Sequence, residues 1–181
     1  MVSSSGGSKS SSHSTSHSAS RTARASPAKA ASTQKKGKAT GANPKLAAAV
    51  AAIHIHRFDA KRGVTYCNMA VNAYAQKLGY KGFKGLTANQ MYAKMSAPGS
   101  GWHKATAAQA MAAAKKGGLT VAGWSSKGHG HIAAVIGEFS SGVPAIAQAG
   151  GYTRNGQTIN NTFGYGSIKQ TRANPTYFVH D

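Results

Sequence analysis

The chain contains a single cysteine, Cys67, within the stretch TYCNMAVNAY. The apolar residues after it recur at helical spacing, so we expect a helix that begins at Thr65 or Tyr66 and ends at Gly79. Cys67 would then lie in the first turn, where the helix dipole lowers the thiol pKa and favours the thiolate. Unpaired backbone N–H groups at the same place could stabilise an oxyanion. The pattern indicates that Cys67 is a nucleophile. The alternative is that Cys67 is an inert core thiol, as lone cysteines usually are.

Two histidines in the stretch SKGHGHIAAVIG could supply the base that a thiol nucleophile needs. His131 directly begins a predicted strand, and His129 lies in the glycine-rich turn before it. We expect a residue at the start of a strand to be held more firmly, which favours His131 as the base. His129 is then either a turn residue or a contact to substrate.

The third candidate is Gln148, a lone polar side chain between two alanines of the predicted strand PAIAQAG. Such a residue is costly to bury unless its amide is paired. The amide oxygen could accept the ring N–H of His131 and orient the ring, as the third member of a triad does. An internal hydrogen bond without a catalytic role is the alternative.

The residues beside the thiol, Tyr66 and Asn68, are candidates to line a substrate pocket, although Tyr66 could equally be packing. One cysteine excludes an intramolecular disulfide and CxxC-type zinc or redox sites. A mixed Cys–His metal site lacks a nearby carboxylate and is a poor ligand set, so we predict no metal and no cofactor. His54 and His56 are two residues apart, would point in different directions on a helix, and are predicted to be surface or interface residues.

Four helices are predicted, all of them before the strands. Pro44 favours a first helical turn at the start of NPKLAAAVAAIHIHRF, and Thr87 and Thr106 are good N-caps for the third and fourth helices. The predicted strands are LTVAGW, GHIAAVIGEF, PAIAQAG and PTYFVHD, and residues 150–172 are predicted to be a long loop flanking a site. Helices followed by antiparallel strands indicate an α+β fold, with Trp102 and Trp124 more typical of a core than of a binding platform.

Composition separates residues 1–42 from residues 43–181. The first segment is rich in Ser, Ala and Lys and has no large apolar residue beyond Met1 and Val2, so we predict a disordered basic tail ahead of one folded domain. The net charge is +19, which favours a polyanionic partner such as nucleic acid, an anionic membrane or an acidic cell wall. The tail could be a transit-like segment, a polyanion-binding arm or a solvated linker. No apolar run is long enough to span a membrane, and the first residues lack the pattern of a standard secretory signal.

The order of a helix-borne Cys, a Gly-His before an apolar strand, and a polar residue on the next strand resembles the NlpC-type papain-like cysteine peptidases and their CHAP relatives. In particular, the layout is similar to the peptidoglycan amidase effectors delivered by type VI secretion. The similarity covers roughly Thr65 to Gly150, with the final YFVHD also in keeping, and excludes the first 42 residues. Many NlpC members have Asp before the cysteine and Ser-Gly after it, whereas Tyr66 and Asn68 stand here. The subfamily and the bond cut are therefore left open.

The resemblance implies a papain-like domain over residues 43–181 in which Cys67 is the nucleophile, His131 the base and Gln148 the orienting residue. It implies a cysteine amidase or endopeptidase that hydrolyses amide bonds of bacterial cell-wall stem peptides, as a secreted antibacterial effector or a phage lytic enzyme. Such an enzyme would reach the periplasm or cell wall without a standard signal peptide, and its partners would include peptidoglycan, an immunity protein, or a secretion or virion component. The alternative function is a basic nucleic-acid-binding or packaging protein, although the folded region has no helix-turn-helix, finger or RNP motif.

Overall fold

The computed structural model of the chain describes residues 42–62, 64–140, 142–150, 154–158 and 175–181, with only the backbone for 154–158. The predicted basic tail lies outside the described residues except for Ala42, and so does most of the predicted loop at 150–172. The described elements are, in order, α1 (Pro44–Ala52), a 3-10 helix (Ile55–Phe58), α2 (Cys67–Lys77), α3 (Ala88–Ser96), β1 (Trp102–Ala105), α4 (Ala107–Lys115), β2 (Thr120–Trp124), β3 (His131–Glu138), β4 (Pro144–Gln148), β5 (Arg154–Thr158) and β6 (Thr176–His180).

The four helices begin where local sequence signals place them. The side chain of Asn43 accepts the N–H of Lys45 ahead of α1. Thr87 and Thr106 each form a capping box, in which the threonine hydroxyl and a glutamine amide satisfy backbone N–H groups reciprocally. Cys67 is the first residue of α2, as predicted. The starts of α1, α3 and α4 need no tertiary information, because each cap satisfies its own helix end, whereas Tyr66 ahead of α2 makes no side-chain capping bond.

The first helix is shorter than predicted. It ends at Ala52 instead of continuing to Phe58, because His54 takes a left-handed backbone conformation with φ of 48°. The chain then forms a 3-10 helix that brings Ile55 and Phe58 into the core, each 7% exposed. His54 and His56 are both exposed, which confirms the prediction of surface histidines.

The described strands form one antiparallel sheet in the order β1-β6-β2-β3-β4-β5. The α+β class with an antiparallel sheet is therefore confirmed. Two strands were not predicted: β1 precedes α4 and pairs with β6, and β5 lies within the segment expected to be a loop. Trp102 is buried as predicted, and Trp124 is half-buried against the core.

Strand β3 is the element on which the helices converge, since both α2 and α4 contact it. Its residues from Ile132 to Ile136 are buried, and α2 buries Ala70, Val71 and Tyr74. This packing fixes the start of α2 against the sheet. In the described part of the chain, no helix has the length and apolar character needed to cross a membrane.

The buried hydroxyl of Tyr74 in α2 provides a test of this packing. The hydroxyl of Tyr74 has no hydrogen-bond partner among the described residues, and the side chain is 1% exposed. Burial raises the pKa of this phenol, so the group stays neutral. Because an unpaired buried hydroxyl is destabilising, we expect Tyr74→Phe to raise the free energy of unfolding by about 1 kcal/mol.

The matched control is Tyr92→Phe. The hydroxyl of Tyr92 bonds Thr176 Oγ1 at 2.9 Å, so its removal should lower the free energy of unfolding by about 1 kcal/mol. Urea unfolding monitored by circular dichroism measures both changes. A loss of stability in Tyr74→Phe would show that its hydroxyl has a partner after all.

Candidate active site

The centre of the candidate site is a hydrogen bond between two strands. His131, the first residue of β3, has its Nε2 2.8 Å from Oε1 of Gln148, the last residue of β4. A carbonyl oxygen can only accept, so Nε2 carries the proton and Nδ1 is the nitrogen with the lone pair. Gln148 is 4% exposed, which makes this pairing of its amide energetically important.

The thiol of Cys67 lies against the same part of β3. The backbone N–H of Ile132, the residue after His131, lies close enough to the sulfur to lower the thiol pKa. The N–H groups of Cys67 and Asn68, at the start of α2, also lower the thiol pKa. The start of α2, the start of β3 and the end of β4 therefore belong to elements that contact one another, and the roles assigned to Cys67, His131 and Gln148 stay predictions.

Desolvation decides the protonation state of the ring. Burial lowers the pKa of His131 from 6.5 to about 4, and the hydrogen bond that the ring donates to Gln148 opposes this change only in part. At neutral pH the imidazole is uncharged and can accept a proton. A neutral ring with a fixed tautomer is the state that a general base requires.

The prediction of an activated thiolate at rest is wrong. Cys67 is 3% exposed, and its burial raises the thiol pKa instead of lowering it. The three backbone N–H groups and the helix dipole do favour the thiolate, but they offset less than burial costs. At neutral pH the site therefore holds a protonated thiol and a neutral imidazole.

Backbone contacts tie the chain before α2 to this site. The carbonyl of Gly150 accepts the N–H of Ala60 at 3.0 Å. A Cβ at Gly150 would lie 3.8 Å from Cε1 of the His131 ring, so the backbone at the end of β4 covers one side of that ring. The contact between Ala60 and Gly150 cannot be recognised in the sequence, because it joins residues about ninety positions apart.

The three candidate substrate contacts are placed differently. Tyr66 precedes α2 and is half-buried against the core, and the amide of Asn68 donates to the carbonyl of Leu86 at 2.8 Å. His129 is exposed in the β2–β3 turn, where its carbonyl accepts the hydroxyl of Ser126 at 2.7 Å. The side chain of Asn68 therefore has a structural contact. Of the two candidate bases, His131 and His129, it is His131 that bonds Gln148. The roles assigned to all three stay predictions.

No protein-family model matches the chain, and no curated protein is similar to it in sequence. The assignment to NlpC-type peptidases stays a prediction, and any function has to be argued from the geometry of Cys67, His131 and Gln148. Within the described residues, no group of three or more His, Cys, Asp or Glu side chains is arranged to hold a metal ion.

The depressed pKa of His131 predicts a loss of stability in acid. The unfolded ring binds a proton as the pH falls through 6.5, whereas the folded ring binds it only near pH 4. The contribution of the neutral ring is complete above pH 6.5 and is lost between pH 6.5 and 4. We expect the native chain to lose about 2–3 kcal/mol of unfolding free energy over this range relative to His131→Gln. Urea unfolding at pH 7.5 and 4.0 measures this change in unfolding free energy. An equal change in the native chain and in His131→Gln would contradict the prediction.

Proposed function

We propose that this chain is a cysteine-dependent peptidoglycan amidase or endopeptidase. Cys67 is the nucleophile, His131 the general base and Gln148 the residue that orients the base. The observation that carries the proposal is the 2.8 Å hydrogen bond between His131 and Gln148 beside a thiol at a helix start. The choice of peptidoglycan as substrate follows from the resemblance to the NlpC-type amidases.

In the proposed reaction, Nδ1 of His131 takes the proton from the thiol as the sulfur attacks the carbonyl carbon of the amide. The N–H groups around the sulfur stabilise the developing oxyanion. The imidazolium then protonates the leaving amine, the C–N bond breaks, and a thioester to Cys67 remains. Water, deprotonated by the same ring, hydrolyses the thioester and releases the carboxylic acid and the free thiol.

The resting state of the site fits this proton path. Both groups are neutral before substrate binds, so the proton moves during the attack and no pre-formed ion pair is needed. Gln148 holds Nε2 as the donor nitrogen, which keeps Nδ1 as the acceptor through the cycle. An amide stabilises the imidazolium less than a carboxylate would, which suits a ring that must return its proton to the leaving group.

The charge of the domain supports an anionic polymer as the substrate. Every lysine and arginine whose side chain the structure describes is exposed. Within the described residues, the ion pair between Glu138 and Lys115 is the only one that joins a carboxylate to a lysine or arginine, since Asp181 lies 3.1 Å from His103 and Asp59 3.6 Å from His56. The exposed cations are then available to attract a cell wall that carries carboxylates and phosphates.

The decisive experiment is digestion of purified sacculi by the full chain. Soluble products are separated and identified by mass spectrometry, and the new amine and carboxyl termini show which bond was cut. The proposal expects one new pair of termini within the stem peptide or its cross-link. Glycan-strand products alone, or no products from sacculi of several peptidoglycan types, would contradict it.

The same basic surface favours a second candidate, a nucleic-acid-binding protein. In that case affinity for duplex DNA should fall steeply with salt, because each phosphate contact releases counterions. Alkylation of Cys67 should then leave the protein's activity unchanged. Fluorescence anisotropy with labelled DNA at about 50 and 200 mM salt separates the candidates, since a hydrolase requires no tight DNA complex.

A further inference from the structure

Asn89, in the first turn of α3, binds the turn that leads into His131. Its Nδ2 donates to the carbonyl of Ser126 at 2.9 Å. Its Oδ1 accepts the hydroxyl of Ser125 at 3.1 Å and the N–H of Ser126 at 3.4 Å. The amide N–H and the amide oxygen of Asn89 are thus both bonded to the β2–β3 turn. Among the described residues, no other side chain of α3 forms a hydrogen bond to this turn.

The β2–β3 turn also has an internal hydrogen bond between its contact with Asn89 and the start of β3. The hydroxyl of Ser126 donates to the carbonyl of His129 at 2.7 Å. A Cβ at Gly130 would lie 2.2 Å from Oδ1 of Asn89 and 2.8 Å from the carbonyl of Trp124. Position 130 therefore has to be glycine, because the turn passes directly against the Asn89 amide.

The contact lies immediately before the candidate base. Trp124 pairs with His131 across the hairpin, so residues 125–130 are the whole connection between the two strands. Moving this connection would move the His131 ring and the neighbouring N–H of Ile132, which contacts the thiol of Cys67. The Asn89 amide is thus part of what sets the position of the ring relative to the sulfur.

We propose that Asn89 is a positioning residue that holds the β2–β3 turn and through it orients His131 toward Cys67. In its catalytic consequence this inference rests on the proposed function. The proposal makes Asn89 more than a structural contact, since its loss would change the chemistry of the ring without removing any group that touches substrate.

The first test is kinetic. Asn89→Ala should lower kcat for sacculus hydrolysis about 10- to 100-fold with KM changed less than about 3-fold, because a small misplacement of a catalytic group slows the chemical step. Asn89→Asp keeps the acceptor for Ser125 and loses the donor to Ser126, so its kcat should lie between Asn89→Ala and native. Thr106→Ala, which removes the cap of α4 and has no contact with the turn, controls for a general loss of stability.

The second test needs no substrate. The ring signals of His131, followed by NMR as a function of pH, should titrate near pH 4 in the native chain and at least about half a unit closer to 6.5 in Asn89→Ala. Thr106→Ala should titrate as the native chain does. If the native chain hydrolyses no peptidoglycan, the proposed function is wrong, but the titration of His131 still tests whether Asn89 positions the ring. An Asn89→Ala protein with native kcat and a native titration curve would overturn it, and so would equal losses in Thr106→Ala.

Discussion

Replacing Cys67 with alanine is expected to lower the rate of sacculus hydrolysis at least about 10⁴-fold, because no covalent intermediate can form without the sulfur. Cys67 is the single cysteine of the chain, so no other thiol can substitute for it. The release of soluble muropeptides over time measures the effect.

The control for this variant is its folded state. The side chain is small and buried, so its truncation should cost about 1 kcal/mol of unfolding free energy and leave the circular dichroism spectrum unchanged. Cys67→Ser keeps the shape of the side chain and should also be inactive, because a neutral hydroxyl is the weaker nucleophile. Native rates in either folded variant would exclude Cys67 as the nucleophile.

Replacing His131 with alanine is expected to lower the rate at pH 7 about 10³- to 10⁴-fold. Burial raises the pKa of the Cys67 thiol, so without its base the sulfur stays protonated at neutral pH. The residual rate of the variant should therefore rise with pH up to the limit of protein stability, as hydroxide replaces the missing base. The measurement is the rate of muropeptide release between pH 6 and 10.

His56→Ala is the matched control for the loss of an imidazole. His56 is exposed and pairs with Asp59 in the 3-10 helix, far along the chain from β3. Its rate should stay within about 2-fold of native, as for most surface substitutions. A His131→Ala protein whose rate matches this control would remove the ring from the mechanism.

Much of the fold could be predicted from the sequence because the relevant signals are local. The caps at Asn43, Thr87 and Thr106 are complete within four residues, and Gly117 ends α4 with φ of 84°. Strand β1 was missed because its four residues have no alternating pattern; pairing of Trp102 with His180, far away in sequence, makes it a strand. Such pairing is set by the sheet and cannot be recognised in either segment alone.

In the candidate site too, some features could be predicted from the sequence and others depend on distant segments. The types and order of Cys67, His131 and Gln148 led to the hydrogen bond between the last two, since a lone glutamine in an apolar strand must find a partner. The thiol pKa was predicted in the wrong direction, because the helix dipole is visible in the sequence whereas burial by distant segments is not. Asn89 carried no signal either, since its partners lie 36 and 37 residues away.

Burial of the thiol also changes how Cys67 would react under the proposed function. A protonated thiol beside a neutral ring is less prone to oxidation and alkylation than an ion pair, because the thiolate is the reactive form. Under the proposed function, the reactivity of Cys67 then depends on proton transfer to the His131 ring when a substrate carbonyl is in place. Fast iodoacetamide labelling, which an exposed thiolate would show, is therefore not expected from this geometry.

The most direct measurement is a titration of the single thiol against activity. The native chain is alkylated to increasing extents with iodoacetamide, the modified fraction at Cys67 is read by intact-protein mass spectrometry, and muropeptide release is assayed for each sample. The remaining rate is predicted to equal the unmodified fraction and to reach background at complete modification. A fully alkylated chain that releases the same muropeptides at the native rate would contradict the account.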